Sequence, residues 1–242
     1  MDNKEVKNIY NKTVKGRALG DYEYWRWFRN KIQKAGYEMT LASIRKHIGA
    51  INFSHCLELG QGQGTWTNEL IKFCPKANFD LVDISKEMLK LAQHRFADKN
   101  NIRYFEEDFL EFRSDKKYDF FFSSRVIEYI SDKELMVKKI LDLLNYRAGG
   151  FIITKTPKYL RNKLLGRVIP RLHQGQIQPK GLVQLLKKYG ADNIEIYPVT
   201  MSFPILRFSY LNKLLHRIFY KHKLNFISKF FAESYCIKFL KK

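Results

Sequence analysis

The sequence predicts a doubly wound α/β domain, in which helices cover both faces of a mostly parallel sheet. Short apolar runs alternate with amphipathic helical stretches from Ser54 onward, which is typical of parallel strands joined by right-handed helical crossovers. A glycine-rich loop follows the first apolar run, at the place where such sheets bind ligands. The chain has 242 residues, 45% of them hydrophobic, and this suffices for the core of one large domain.

The segment before the sheet, residues 1–50, is predicted to be helical. Apolar side chains recur there at steps of three and four residues, namely Trp25, Phe28, Ile32, Leu41, Ile44 and Ile48. We expect these helices to cap the domain that follows. No apolar run follows the charged start, so no secretory signal peptide is expected. Three cysteines without C-x-x-C spacing favour reduced thiols in a cytoplasmic protein.

The alternation itself predicts seven strands and the helices between them. Strands are predicted over residues 55–59, 78–83, 102–105, 118–123, 150–154, 193–199 and 234–240, and helices over 65–73, 86–96, 133–144 and 179–189. Residues 51–200 are expected to form the α/β core. Residues 201–242 are expected to add an amphipathic basic insertion and the final strand to the same domain.

The loop after the first strand carries three glycines at alternate positions, Gly60, Gly62 and Gly64. Glycines there let the backbone turn sharply and approach a ligand closely. The following helix points free N–H groups at the same place. A dinucleotide-binding G-x-G-x-x-G loop needs a third glycine at position 65, which is Thr65, so the spacing favours a G-x-G-x-G variant. A tight turn without a ligand is the alternative.

Acidic residues follow the next two strands. Asp83 ends the second strand, where a carboxylate can accept hydrogen bonds from the ribose hydroxyls of a nucleoside. Asp108 follows the third strand, with Phe109 beside it. These two side chains are placed to bind an adenine amino group and to cover the ring. Each acid alone is equally compatible with a solvated loop carboxylate, but the set points to a nucleoside site.

Five segments carry a resemblance to a known family: LELGQGQG at 57–64, DISKEMLKLA at 83–92, Asp108-Phe109, YDFFFSSRVIEYI at 118–130 and HQGQIQPKGLVQLLKKYG at 173–190. With them the chain resembles the class I S-adenosylmethionine-dependent methyltransferases, particularly the group with the type 11 small-molecule domain. The resemblance covers about residues 50–200. It implies a seven-stranded Rossmann-like fold and S-adenosylmethionine as cofactor, with S-adenosylhomocysteine as product.

The resemblance also implies a set of cofactor-binding residues. Glu58 and the three glycines would hold the methionine moiety, Asp83 the ribose, and Asp108 with Phe109 the adenine. Ser123 would line the floor of the site near the transferred methyl group. The full implied set is Glu58, Gly60, Gln61, Gly62, Gly64, Asp83, Ile84, Asp108, Phe109 and Ser123.

Methyl transfer is an in-line displacement, and a general base is needed only when the acceptor atom is protonated. His173 matches a family position that often faces the acceptor, and Glu128 and Tyr129 follow the fourth strand. An ordinary loop or packing role is the alternative for each. Some related O-methyltransferases carry E-x-x-E-H at this segment and bind a divalent metal there. Here Arg125 and Tyr129 replace two of those three ligands, so no metal site is predicted.

The net charge of +20 is unevenly distributed. Residues 51–150 carry 15 basic and 16 acidic residues, whereas both flanks are strongly basic. The neutral centre suits a zwitterionic cofactor, and the flanks suit an anionic partner. An anionic acceptor is also favoured by a basic run before His173, which consists of Lys155, Lys158, Arg161, Lys163, Arg167 and Arg171.

The C-terminal insertion contains an amphipathic cationic helix over residues 205–221, and apolar residues continue to position 231. One interpretation places residues 205–231 on an anionic membrane, giving access to a lipid acceptor from the cytoplasmic side. The other is a lid helix packed on the core with lysines in solvent.

Three functions remain open from the sequence. The favoured one is a methyltransferase for a small-molecule or lipid-linked acceptor. An RNA methyltransferase that uses the basic flanks is an alternative, but no N-P-P-Y, D-P-P-Y or Pro-Cys motif or RNA-binding module supports it. A non-enzymatic nucleotide-binding or partner-binding module on the same fold is the third.

Overall fold

A computed structural model describes residues 3–15, 21–157, 166, 175–203 and 208–242. The described residues form a seven-stranded sheet in the order β3-β2-β1-β4-β5-β7-β6. The strands are β1 (His55–Leu59), β2 (Asn78–Asp83), β3 (Ile102–Glu106), β4 (Tyr118–Ser124), β5 (Leu144–Lys155), β6 (Ala191–Met201) and β7 (Ala232–Lys241). The first five strands pair in parallel, and β7 runs antiparallel to β5 and β6. This confirms the predicted fold class.

Helices precede the sheet and connect its strands. They are α1 (Asn3–Lys15), α2 (Asp21–Glu23), α3 (Lys31–Ile48), α4 (Thr67–Phe73), α5 (Lys86–Arg95), α6 (Lys133–Leu143), α7 (Pro179–Lys188), α8 (Ser209–Phe219) and α9 (Phe226–Phe231). A π-helical turn, Tyr24–Phe28, continues α2, and a 3₁₀ turn, Ile127–Tyr129, follows β4. Side-chain caps start several helices. Ser85 accepts from the Met88 N–H at α5, and Asp132 from the Leu135 N–H at α6.

The core lies on both faces of the sheet because side chains alternate along each strand. On β4, Phe121 belongs to the apolar cluster on one face, while Phe120 and Phe122 belong to the cluster on the other. Neighbouring strands follow the same alternation, with Leu57 on the first face and Cys56 on the second. A sheet buried on both faces explains why its strands read as continuous apolar runs.

The fifth and sixth strands are longer than predicted. β5 starts at Leu144 rather than at residue 150 and follows α6 without a loop. Near the start of this strand, Asn145, Tyr146 and Arg147 are exposed. These residues lack the apolar pattern of a buried strand. The pairing of β4 with β5 is also irregular there, and Arg147 has a φ of 59°. An exposed and irregular strand end has no periodicity that sequence reasoning could detect.

The N-terminal helices and the insertion flank this sheet. Helix α1 packs on α5, and α3 packs on β6 and α8. Cys56, Cys74 and Cys236 are buried and form no disulfide. Within the described ranges, none of the helices has both the length and the apolar content that crossing a membrane requires.

Candidate active site

A cavity lies at the carboxyl ends of β1, β2 and β4, where ligands bind in doubly wound sheets. Its wall includes residues 60–63 of the glycine loop, Asp83 and Ile84 after β2, and residues 107–109 after β3. The end of β4 and the 3₁₀ turn contribute Ser124, Arg125, Val126 and Tyr129. Side chains from before the sheet complete the wall: Val6, Tyr10, Tyr22, Arg26 and Trp27. The N-terminal helices therefore form part of the site.

Gly60 lets the loop turn directly after β1. Its φ is +70°, and a Cβ there would lie 2.1 Å from the Val126 side chain. Its N–H donates to the Val82 carbonyl at 2.8 Å, which fixes the loop against β2. Backbone atoms at this position therefore approach the cavity without an intervening side chain.

Gly64, the third glycine of the loop, packs against a neighbouring side chain. It does not line the cavity within the described structure. A Cβ on Gly64 would lie 2.3 Å from the ring of Phe96, and its φ is +83°. The third glycine thus allows the loop to pack closely against the end of α5.

Asp83 joins the loop to the end of β2. Its Oδ1 accepts from the Ser85 N–H at 2.8 Å, and its Oδ2 accepts from the Gly62 N–H at 3.2 Å. Burial raises the pKa of Asp83 to about 6, so the carboxylate is ionised at neutral pH. Each oxygen can accept more than one hydrogen bond, and capacity remains for the two hydroxyls of a ribose.

Several polar atoms around the loop are buried without a hydrogen-bond partner in the described structure. They are Oε2 of Glu58, both amide atoms of Gln61 and Oγ of Ser124. Buried polar groups in folded proteins are nearly always satisfied. Gln61 and Ser124 line the cavity, so a polar ligand placed there would provide the missing partners.

Glu58 lies behind the loop rather than in the cavity wall. It is only 2% exposed, and burial raises the pKa of its carboxyl to about 8. A cationic group bound nearby would favour the ionised form of this carboxyl. Once ionised, the carboxylate of Glu58 would favour a cationic group of the ligand through its charge.

Asp108 and Phe109 both line the cavity, at the places that the sequence suggested. The Oδ1 atom of Asp108 accepts from the Leu110 N–H at 3.0 Å, which holds the carboxylate in a tight turn. Phe109 is 2% exposed, and its ring packs 6.2 Å from that of Phe121. Most of the Phe109 side chain thus belongs to the core, and only part of it is available to a ligand.

Ser123 is turned away from the cavity and its neighbour takes its place. The Ser123 hydroxyl donates to the Leu59 carbonyl at 3.1 Å, whereas Ser124 lines the cavity. Successive side chains at a strand end point in opposite directions. An offset of one residue therefore places Ser124, rather than the predicted Ser123, in the cavity wall.

Of the three acid–base candidates, the structure describes two. Glu128 has a fully buried side chain that does not line the cavity in the described structure. Its Oε1 accepts from Arg125 Nε at 2.9 Å and its Oε2 from the Thr154 hydroxyl at 2.8 Å. It thus positions Arg125. Tyr129 lines the cavity beside Tyr10, and burial raises the pKa of its phenol. His173 lies outside the described residues.

The sequence predicts no ligand-binding role for two arginines of the cavity wall, Arg26 and Arg125. Arg125 has a φ of 64°, and Arg26 comes from the π-helical turn, with its guanidinium 4.3 Å from the centre of the Trp27 ring. Burial and the charge of Arg125 lower the pKa of Arg26. Burial also lowers the pKa of nearby Lys155 to about 8. The helical pattern of residues 24–28 identified only core aromatics, so the arginine between them gave no signal.

These charges make one side of the cavity electropositive. Arg26 and Arg125 both line it, and Glu128 is the acid that pairs with Arg125. Among described residues, Arg26 has no carboxylate within ion-pair distance. No three potential metal-ligating side chains come together in the described ranges. The arrangement suits an organic anion.

Residues 56–147 match a protein family described as "Methyltransferase domain". The chain is similar to malonyl-[acyl-carrier protein] O-methyltransferase 1 of Ilyobacter polytropus, with 30% identity over 124 residues, 48% of this chain and 46% of that protein. It is also similar to ribosomal RNA small subunit methyltransferase A of Pseudomonas putida, with 34% identity over 87 residues, 36% of this chain and 31% of that protein. The chain spans less than half of the length of these two relatives.

A solved structure aligns with the whole chain. Magnesium protoporphyrin IX methyltransferase of Synechocystis PCC 6803, with bound S-adenosylhomocysteine, is 18% identical and gives a TM-score of 0.65, with 100% of each chain covered. At this identity the likeness establishes a shared fold.

Proposed function

The chain contains a class I methyltransferase domain, and from this premise we propose that it transfers a methyl group from S-adenosylmethionine to a small or lipid-linked anionic acceptor. S-adenosylmethionine, when bound, supplies a methyl group on a positively charged sulfur, which activates that carbon for in-line displacement. The chain itself has to bind both reactants, align them and exclude water.

The residues around the glycine loop fit this cofactor. Asp83 retains acceptor capacity for ribose hydroxyls, and Asp108 lies in the wall where an adenine amino group would bind. Gln61 offers a buried amide donor and acceptor to the amino-acid end. The carboxyl of Glu58 behind the loop favours the positive charges of the sulfonium and ammonium groups. The unpartnered amide of Gln61 is the observation that most directly supports a bound polar ligand here.

The electropositive side of the cavity supports an anionic acceptor. Arg26 and Arg125 can both donate charge-assisted hydrogen bonds to a carboxylate or phosphate. A carboxylate acceptor needs no general base, because its oxygen is already deprotonated. This suits the surroundings of Arg125, where both oxygens of Glu128 are already bonded and burial keeps Tyr129 neutral.

Calorimetry with S-adenosylmethionine, S-adenosylhomocysteine and NAD tests the cofactor. We expect the first two to bind and NAD to give no signal. Absence of binding, or a preference for NAD, would overturn the assignment of the glycine loop.

Transfer of a labelled methyl group tests the acceptor. A malonyl thioester, the acceptor type that the Ilyobacter relative's name gives, is the first anionic compound to try, with the uncharged amide of the same thioester as its matched control. Lipid extracts and RNA complete the set. We expect transfer to an acid and not to its amide. Equal transfer to the amide, or transfer to RNA alone, would contradict the proposal.

A further inference from the structure

Exposed apolar side chains concentrate in the insertion between β6 and β7. Seven of the twelve large hydrophobic side chains that are exposed in the described structure belong to it: Phe208, Tyr210, Leu214, Ile218, Phe226, Ile227 and Phe230. Phe226 is 91% exposed and Tyr210 69%. Scattered single apolar residues are normal on a protein surface, but a concentration of them marks an interaction site.

Helix α8 is anchored to the protein by one side only. Asn212 and His216 are buried, and His216 Nε2 lies 3.1 Å from the Ser43 hydroxyl of α3. Leu215 and Phe219 pack on the apolar cluster around Met39. The opposite side carries the exposed Tyr210, Leu214 and Ile218 at steps of four residues. The packed side fits the lid interpretation, whereas the outer side carries an apolar stripe in addition to cations.

The charged residues of the same segment are all cationic. Residues 208–231 contain five basic residues and no aspartate or glutamate. Lys213 and Lys223 form ion pairs with Glu38 and Glu195. Arg217 is exposed on α8 next to the apolar stripe, and Lys221 is exposed in the turn that follows. Apolar and cationic side chains therefore share one surface.

The insertion is rooted at the edge of the sheet where the cavity lies. Its two ends meet where the Ser202 N–H donates to the Phe231 carbonyl at 2.9 Å. Ser234, at the start of β7, pairs with Lys155 at the carboxyl end of β5. The insertion therefore leaves the sheet at the same edge as the cavity.

We propose that residues 208–231 bind the surface of an anionic membrane, with the apolar side chains in the headgroup region and the cations facing lipid phosphates. Interfacial binding grows with buried apolar area and with cations near anionic lipid. A second copy of the chain would instead bring exposed cations, Arg217, Lys221 and Lys229, against their own equivalents, which opposes self-association. Charge therefore favours lipid as the occupant.

Vesicle sedimentation of the full chain tests this surface. The vesicles are made of phosphatidylcholine alone or of phosphatidylcholine mixed with phosphatidylglycerol, at physiological salt. We expect binding to the mixed vesicles and little to the neutral ones. The double substitution Leu214→Ser/Ile218→Ser, which leaves the charge unchanged, should weaken binding by about ten-fold or more. Arg217→Gln/Lys221→Gln should have an effect of similar size.

Matched controls separate this surface from the general positive charge. Tyr146→Ser/Leu135→Ser removes two exposed apolar side chains elsewhere, and Lys116→Gln/Lys138→Gln removes two exposed lysines from other elements. Both should bind vesicles like the unmodified protein. Binding of S-adenosylhomocysteine and the thermal midpoint establish that each variant is folded.

Three results would overturn the proposal. One is the failure of the unmodified protein to bind the mixed vesicles. Another is an unchanged affinity of Leu214→Ser/Ile218→Ser for the mixed vesicles, which would show that net charge alone causes the binding. The third is light scattering that shows a dimer which this double substitution dissociates, since the patch would then be a contact between copies.

Discussion

The backbone N–H of Gly62 donates a hydrogen bond to Oδ2 of Asp83 across 3.2 Å. This contact joins the loop after β1 to the end of β2, its neighbour in the sheet. The other oxygen of Asp83 accepts from the Ser85 N–H, at the residue that caps α5. One carboxylate therefore holds together two of the elements that form the cavity.

Asp83→Ala should lower the affinity for S-adenosylhomocysteine by about 1–3 kcal/mol, because the ribose hydroxyls lose their acceptor and the loop loses its tie to β2. Calorimetry measures this directly. Asp98→Ala, at an exposed acid in the loop after α5, is the control and should bind like the unmodified protein. An unchanged affinity in Asp83→Ala would place the ribose elsewhere.

Arg26→Gln should raise the KM for an anionic acceptor by roughly ten-fold or more while leaving the affinity for S-adenosylhomocysteine within about two-fold, since one charge-assisted hydrogen bond to the acceptor is lost. Arg29→Gln is a close control, because Arg29 also lies over a tryptophan ring, that of Trp25, but does not line the cavity in the described structure. Steady-state kinetics with both variants measure the effect. Equal KM values for the two variants would remove Arg26 from the acceptor site.

The stability of the ligand-free protein should depend on the ionisation of Glu58. Because burial raises the pKa of Glu58 to about 8 from 4.5, the folded chain holds this proton more tightly than the unfolded chain. The contribution of this bound proton to the free energy of unfolding is complete below about pH 4.5 and is lost as the pH rises toward 8. We expect the free energy of unfolding to fall by a few kcal/mol across this range, as measured by urea denaturation.

Glu58→Gln removes this titration and should therefore remove most of the decrease in the free energy of unfolding between pH 4.5 and 8. Asp83, whose pKa is raised to about 6, also lowers the free energy of unfolding as the pH rises, but at lower pH. This residue remains in the variant. The difference between the two proteins at pH 6–8 therefore reports Glu58. Parallel pH profiles would show that Glu58 does not titrate in this range.

Gly64→Ala should destabilise the protein by roughly 2–4 kcal/mol, because a left-handed backbone and a clash with the Phe96 ring combine. Gly190→Ala isolates the backbone term, since Gly190 has a φ of +93° and open space around its Cβ position. It should cost about 1–2 kcal/mol. Chemical denaturation compares the two, and equal losses would exclude the clash with Phe96.

Sequence reasoning located the strands and the helices between them because their signals are local. The bounds of β1 and β2 agree with the prediction to the residue. The centre of β4, Phe120, Phe121 and Phe122, is continuously apolar because this strand is buried on both faces. The start of β5 was missed, since exposed and irregular residues carry no such pattern.

The site was only partly predictable for the same reason. Asp83 and Asp108 lie at the cavity as expected, because strand ends in a parallel sheet converge at one edge. Whether Ser123 or Ser124 lines the cavity, and whether Gly64 contacts the cavity or Phe96, depends on the local orientation of the backbone. Arg26 reaches the cavity from a segment far from the sheet in sequence, which no local pattern reports.

By itself, the sequence determined the strand order along the chain, the glycine loop and the acids at the ends of the second and third strands, because periodicity and turn chemistry act over a few residues. Only the tertiary structure decided which side chains face the cavity, that two distant arginines meet there, and that one side of α8 stays exposed. Those outcomes depend on how helices from both ends of the chain pack against the sheet, and packing between distant segments leaves no local signature in the sequence.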